Sequence, residues 1–271
     1  MLVKFSRSRI ALAIPVSFMI LFVTMLGLIS ITYYFSVEKV KSQSATLKIS
    51  TAKQDMISLD QSILSAAWQP GSSRVIDISD SGGKTTIQPF TNTLAIGIAD
   101  GATINEVIYN QTIGRVAYEL PYADSPDTGL FLKGDSRTIV NQSGSSMTQL
   151  YITNGAEHAE ILLCYRPTVS YATAGLEDGK IVNNLRIYII NLNTSDAISL
   201  YGQLPLKASC ESTQITTFTY NLSYSLQSLN VISILNGEMG QVSVPISSTE
   251  NGAIINIEPV LCNLKIQRCL R

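Results

Sequence analysis

The sequence predicts a membrane-anchored α+β protein in which one long N-terminal transmembrane-plus-amphipathic helix precedes a mainly antiparallel β-sandwich or jelly-roll-like domain. Three observations carry this expectation. Ile10 to Phe35 contain no charged residue and are dominated by Ile, Leu, Val, Phe, Met and Ala. Val37 to Trp68 contain neither Gly nor Pro and repeat small or apolar residues at helical spacing. Beyond Pro70 the chain changes to short β-prone runs separated by turn dipeptides. The expected organisation is a cytoplasmic basic leader at 1–9, a transmembrane helix at 10–35, an amphipathic helical stalk at 36–69 and an extracytoplasmic β domain at 70–271.

A bilayer core about 30 Å thick needs roughly twenty apolar helical residues, and the first stretch exceeds that. Lys4, Arg7 and Arg9 precede it without an acid, whereas the first acid after it is Glu38. The basic bias therefore places the leading segment in the cytoplasm and everything past about Ser36 outside. A cleaved secretory signal is the competing reading, but its apolar region is usually about 7–15 residues. Pro15 falls in the first turns of the span, where few intrahelical donors are lost, and Tyr33 and Tyr34 mark the outer interface.

The helical stripe continues through Val37, Val40, Ser44, Leu47, Ala52, Met56, Leu59, Ile63 and Ala67. Lys39, Lys41, Lys48, Lys53, Asp55 and Asp60 are assigned to the polar remainder, and Pro70 with Gly71 gives the stop signal. The stripe must pack on something, either the chain's own β domain or neighbouring copies.

From Lys4 to about Trp68 the arrangement resembles the archaeal type IV pilin-like proteins, whose subunits join a basic leader, a half-apolar and half-amphipathic helix, and a C-terminal β domain. The resemblance implies a single-pass surface subunit that contacts copies of itself or other pilin-like subunits through the N-terminal helix. In that family a peptidase cuts after Gly or Ala, and many members carry a Glu five residues into the mature helix. This chain has Ser8, Arg9 and Ile10 at that boundary and no acid before Glu38.

The β-prone runs are Arg74 to Ser79, Thr93 to Ile98, Thr103 to Tyr109, Thr112 to Leu120, Leu150 to Thr153, Glu160 to Tyr165, Ile181 to Leu192, Gln214 to Tyr224 and Ala253 to Glu258. Turns are expected at Ser81-Gly82-Gly83, Asp100-Gly101, Asn154-Gly155, Asp178-Gly179, Asn236-Gly237 and Asn251-Gly252. No second set of helices is long enough to connect parallel strands, which favours antiparallel pairing. Leu226 to Leu235 reads equally as strand or helix.

Of the 19 Lys and Arg and 20 Asp and Glu, the first thirty-five residues hold three basic groups and no acid, leaving the outer part at a net charge of about −4. That balance offers no electrostatic footprint for nucleic acid. Cys164, Cys210, Cys262 and Cys269 all lie beyond the span, in a compartment where disulfides can form. Four cysteines allow three connectivities, of which Cys262 with Cys269 and Cys164 with Cys210 is the expected one, since the first pair is local and the second adjoins predicted strands. No Cys-x-x-Cys spacing suggests zinc.

Asn110, Asn141, Asn193 and Asn221 each begin an Asn-x-Ser/Thr sequon and are candidate glycan acceptors. Gly83-Lys84-Thr85 matches the end of a phosphate-binding loop, but Ile78 stands where the first Gly is required and a strand follows, so a hairpin turn is expected. His158, the single histidine, is flanked by Glu157 and Glu160 and reads as an exposed turn residue. Asp124 with Asp127 and Glu177 with Asp178 are loop carboxylates with no calcium-loop spacing. The sequence therefore predicts no catalytic residue, cofactor or metal, and a non-enzymatic structural or adhesive role at the cell membrane. The alternative is a membrane-tethered β-sandwich binding a glycan or other small ligand, with hydrolase activity drawn from loop carboxylates.

Overall fold

A computed structural model describes residues 8–101, 104–121, 127–143 and 145–269, with the side chains described from residue 16 onward apart from those gaps. Of the basic leader, Lys4 and Arg7 lie outside the described residues. Among the described residues one helix, α1, covers Ser8–Ala66, and fifteen strands follow. The chain divides into two compact units, 1–49 and 50–271, so the last turns of α1 belong with the β domain.

In the first unit α1 is long and apolar enough to cross a membrane by length and composition. Its large side chains are exposed, Phe18 at 74% and Leu28 at 66% among them. Thr24, Ser30 and Thr32 return their hydroxyls to carbonyls three or four residues earlier, which satisfies polar groups within an apolar run.

In the second unit the first strands are β1 (Ser73–Ile78), β2 (Lys84–Ala99), β3 (Asn105–Glu119), β4 (Phe131–Lys133) and β5 (Val140–Asn141). Next come β6 (Thr148–Asn154), β7 (Ala159–Tyr165), β8 (Thr168–Glu177), β9 (Lys180–Asn191) and β10 (Ile198–Tyr201). The chain closes with β11 (Leu204–Ile215), β12 (Phe218–Asn221), β13 (Ser228–Leu235), β14 (Glu238–Pro245) and β15 (Ala253–Arg268). One sheet runs β1-β11-β15-β9-β8-β5 with β12 on β15, and the other runs β14-β13-β2-β3-β7-β6-β4 with β10 on β2. Pairing is antiparallel except for β15 with β9 and β5 with β8. The segment that read equally as helix or strand is β13, pinned on both sides by β14 and β2.

Between the sheets lies a core that includes Ile96, Ile98 and Val231 from one sheet and Val169, Ile187, Ile189, Ile255 and Ile257 from the other. Two tight hairpins have turn residues with positive φ, Asp178-Gly179 and Asn236-Gly237, as two-residue turns that match strand twist require. Gly83-Lys84-Thr85 is not a hairpin turn, because β1 and β2 belong to different sheets and the segment crosses between them. Gly83 packs so closely there that a Cβ would meet the Glu119 carbonyl oxygen at 2.3 Å.

β15 shows why the sheet has two covered faces. Its odd positions Ile255, Ile257 and Leu261 join the inter-sheet core, while Cys262, Leu264 and Ile266, on the opposite face, are equally buried. The final turns of α1 supply apolar cover of their own: Ala52, Met56, Leu59, Ile63 and Ala66 are almost completely buried at heptad-like spacing. Burying three large side chains among them stabilises the docked helix by roughly 2 kcal/mol apiece.

Candidate functional site

The helix and its seat on the β domain form the best-defined feature of the molecule. Along α1 the burial changes abruptly. Val40 and Leu47 are 64% and 68% exposed, whereas Met56, Leu59 and Ile63 are completely covered. The predicted stripe is thus used by the chain's own domain from Ala52 onward.

Asp60 was expected on the polar side of the helix and is instead wholly buried. Its carboxylate accepts hydrogen bonds from Lys133 Nζ at 2.5 Å, Thr148 Oγ1 at 2.8 Å and the Tyr165 hydroxyl at 3.0 Å, joining α1 to β4, β6 and β7. The signal was present in the sequence: Asp60 is four residues from Met56 and three from Ile63, hence on the apolar face. Lys53 and Asp55 also turn inward to partners, Lys53 to Asp127 Oδ2 at 2.5 Å and Asp55 to the Ser79 amide at 2.7 Å. Burial, with the Asp60 carboxylate beside it, holds the Tyr165 hydroxyl well above the usual phenol range. With no exposed surface, Asp60 cannot reach a substrate, so the cluster works as a clamp.

A second buried charge was not foreseen. Arg166, between β7 and β8, is fully covered and donates to the carbonyls of Asp135, Arg137 and Ser146 and to Asp135 Oδ1 at 2.5 Å. Hydrogen bonds from Arg137 and then Arg166 hold the Asp135 carboxyl well below the usual carboxylate range. No local sequence pattern distinguishes Arg166, because three carbonyls from distant segments create its site.

At the C-terminal end of α1, Trp68 adopts φ 69°, a left-handed conformation unusual for a bulky residue. Its ring meets Tyr188 edge-on at 5.3 Å, and both line a cleft of about 340 Å³ with Gln142, Ser145, Met147 and Thr168. Thr168 Oγ1 is buried there without a hydrogen-bond partner.

The remaining predicted sites separate. Asn110 and Asn221 are exposed on strands, whereas Asn141 and Asn193 are half-buried, and Asn221 Oδ1 accepts from Lys180. His158 Nδ1 lies 3.4 Å from Glu119. Asp124 lies outside the described residues. Glu177 and Asp178 close the β8–β9 hairpin, with Glu177 opposite Lys180. Among the described residues no group of three or more His, Cys, Asp or Glu is placed to hold a metal ion.

The cysteines are arranged otherwise than expected. Cys262 and Cys269 are seven residues apart at the end of extended β15, roughly 20 Å, far beyond the approximately 7 Å limit for a disulfide. Cys164, buried in β7, directs its thiol to Gln149, and burial pushes that thiol up to about 11. Cys210 faces Cys262 rather than Cys164.

No protein-family model, curated protein or solved structure matches this chain.

Proposed function

We propose that this chain is a non-enzymatic, membrane-anchored surface protein of the type IV pilin-like kind, with the N-terminus of α1 in the cytoplasm and the β domain outside. The observation that carries the reading is the division of one continuous helix. An exposed stretch that is uncharged from Val16 to Phe35 suits lipid or other helices, and a docked end is clamped to the β domain through Asp60. Val40 and Leu47 present exposed apolar side chains at helical spacing, and neighbouring copies are the proposed occupants. The basic residues Lys4, Arg7 and Arg9 support the inward orientation. Protease added to intact cells is expected to remove the β domain; protection of the domain together with a cytoplasmic marker overturns the orientation.

The docked end changes how assembly must be tested. Met56 and Leu59 are core residues, so acidic substitutions there unfold the domain whatever the helix does elsewhere. Val40→Asp with Leu47→Asp leaves the core untouched. In membrane cross-linking the native chain is expected to give a ladder of oligomers and the double variant to lose it, with an unchanged unfolding midpoint. A strictly monomeric native protein, or a ladder indifferent to both substitutions, sinks the proposal.

A second reading is favoured by the Trp68 cleft. An aromatic pair beside the Gln142 amide and the Ser145 hydroxyl is the kind of surface on which a sugar ring stacks and hydrogen-bonds. A tethered glycan-binding domain would use that cleft, and saccharide-dependent quenching of Trp68 in a strictly monomeric protein would select it.

A further inference from the structure

Strands β11 and β15 are antiparallel neighbours, and their register slips between Cys210 and Ser212. Cys210 is opposite Leu264 and Thr213 is opposite Cys262, so the two cysteines lie on the diagonal of one pleat, on the same buried face. The slip leaves Glu211 as an extra residue in β11 and brings the two thiols to a sulfur–sulfur distance of 3.5 Å. We infer that Cys210 and Cys262 form a disulfide that ties β11 to β15 beneath the end of α1, leaving Cys164 and Cys269 as thiols.

The surroundings fit a covalent staple better than two idle thiols. The two sulfurs need to approach by only about 1.5 Å to reach the bond length of about 2.05 Å. The Gly71 amide donates to the Cys210 carbonyl, the Cys210 amide donates to the Ser72 carbonyl, and the Trp68 amide reaches Cys262 Sγ at 3.4 Å. The chain leaving the helix is thus anchored on both cysteines. The closed loop spans a sequence separation of 52 and contains all of β12, β13 and β14. No third cysteine, histidine or acid completes a metal site around the pair among the described residues.

The oxidant is a disulfide donor, either a thiol-oxidising enzyme or oxidised glutathione. The Cys262 thiolate attacks one donor sulfur, the donor S–S bond breaks and a mixed disulfide forms with release of one donor thiolate. Cys210 thiolate then attacks Cys262 Sγ and expels the second donor thiolate. The two protein thiols lose two electrons to the donor sulfurs, and their two protons pass through solvent to the released donor thiolates. Burial raises the Cys262 thiol, which disfavours the thiolate that begins the exchange in the closed structure.

The inference rests on the outward placement of the domain for access to the oxidant, and the test separates the two. Full-length protein is alkylated at lysis, extracted in detergent without reductant and digested with trypsin and a Glu-specific protease. Trypsin alone leaves both cysteines in one peptide, because no Lys or Arg occurs between Lys207 and Lys265; cleavage at Glu211 and Glu250 separates them. The expected product joins Ala208–Glu211 to a peptide containing Cys262, with Cys164 and Cys269 alkylated. In a second arm the reduced protein is opened in mild denaturant and exposed to oxidised glutathione. A crosslink found only there upholds the pairing and overturns the outward placement. Four thiols in both arms, or any other pairing, overturns the inference. Reductant is expected to lower the melting temperature of the native chain by about 10 °C and that of Cys210→Ser by almost nothing.

Discussion

Replacing Asp60 with Ala is expected to lower the unfolding free energy of the β domain by about 3–5 kcal/mol, because it strands two buried hydroxyls and a partly buried ammonium at once. Thr148 and Tyr165 have Asp60 as the acceptor of their hydroxyl hydrogens and lie too deep for water to substitute, whereas Lys133 keeps about a third of its side chain exposed and recovers some hydration. Trp68, the single tryptophan, sits at the end of the docked helix and reports the transition by fluorescence during guanidinium titration of the detergent-solubilised chain. Tyr165→Phe removes one donor while the carboxylate keeps its other two, so its cost should be about 1 kcal/mol. An Asp60→Ala protein within 1 kcal/mol of the native chain would show that the clamp does not hold the helix.

Arg166→Met is the second large effect, about 2–3 kcal/mol, since the Ser146 carbonyl loses both of its buried hydrogen bonds and the Asp135 carboxylate loses one partner, while Gln149 Nε2 still donates to the carbonyls of Asp135 and Arg137. The same titration measures it, and a change under 1 kcal/mol would contradict the assignment. The variant also changes the acid behaviour. Asp135 has a folded-state pKa below its unfolded value, so its contribution is fully present above about pH 4 and is lost as the pH falls from there. Arg137, still bonded to Asp135, preserves part of this dependence. The stability of Arg166→Met should therefore fall less steeply with acid than that of the native chain, and an unchanged slope below pH 4 would assign the whole effect to Arg137.

The correction at Asp60 bears on reading such helices generally. A single acid on an apolar face is easily counted with the charged remainder, yet its position in the 3.6-residue period already placed it with Met56, Leu59 and Ile63. Spacing alone could not name Lys133, Thr148 and Tyr165, which come from three strands between 73 and 105 residues away.

The sequence by itself determined the long apolar helix, the amphipathic continuation, the turn at Asn236-Gly237 and the β character of the remainder. These depend on local period, uninterrupted apolar length and the φ preferences of single residues. It also determined that Cys164, Cys210, Cys262 and Cys269 follow the apolar span. Only the tertiary structure decided which of them meet, because a register slip in β11 brings Cys210 to Cys262 while the extension of β15 carries Cys269 away. The same holds for β13, whose apolar run suits a strand or a helix until β2 and β14 offer hydrogen bonds on both edges. Arg166 is the extreme case, for its burial is tolerable only where three carbonyls and a carboxylate from other segments converge. Such convergence depends on long-range pairing, which no short window of sequence contains.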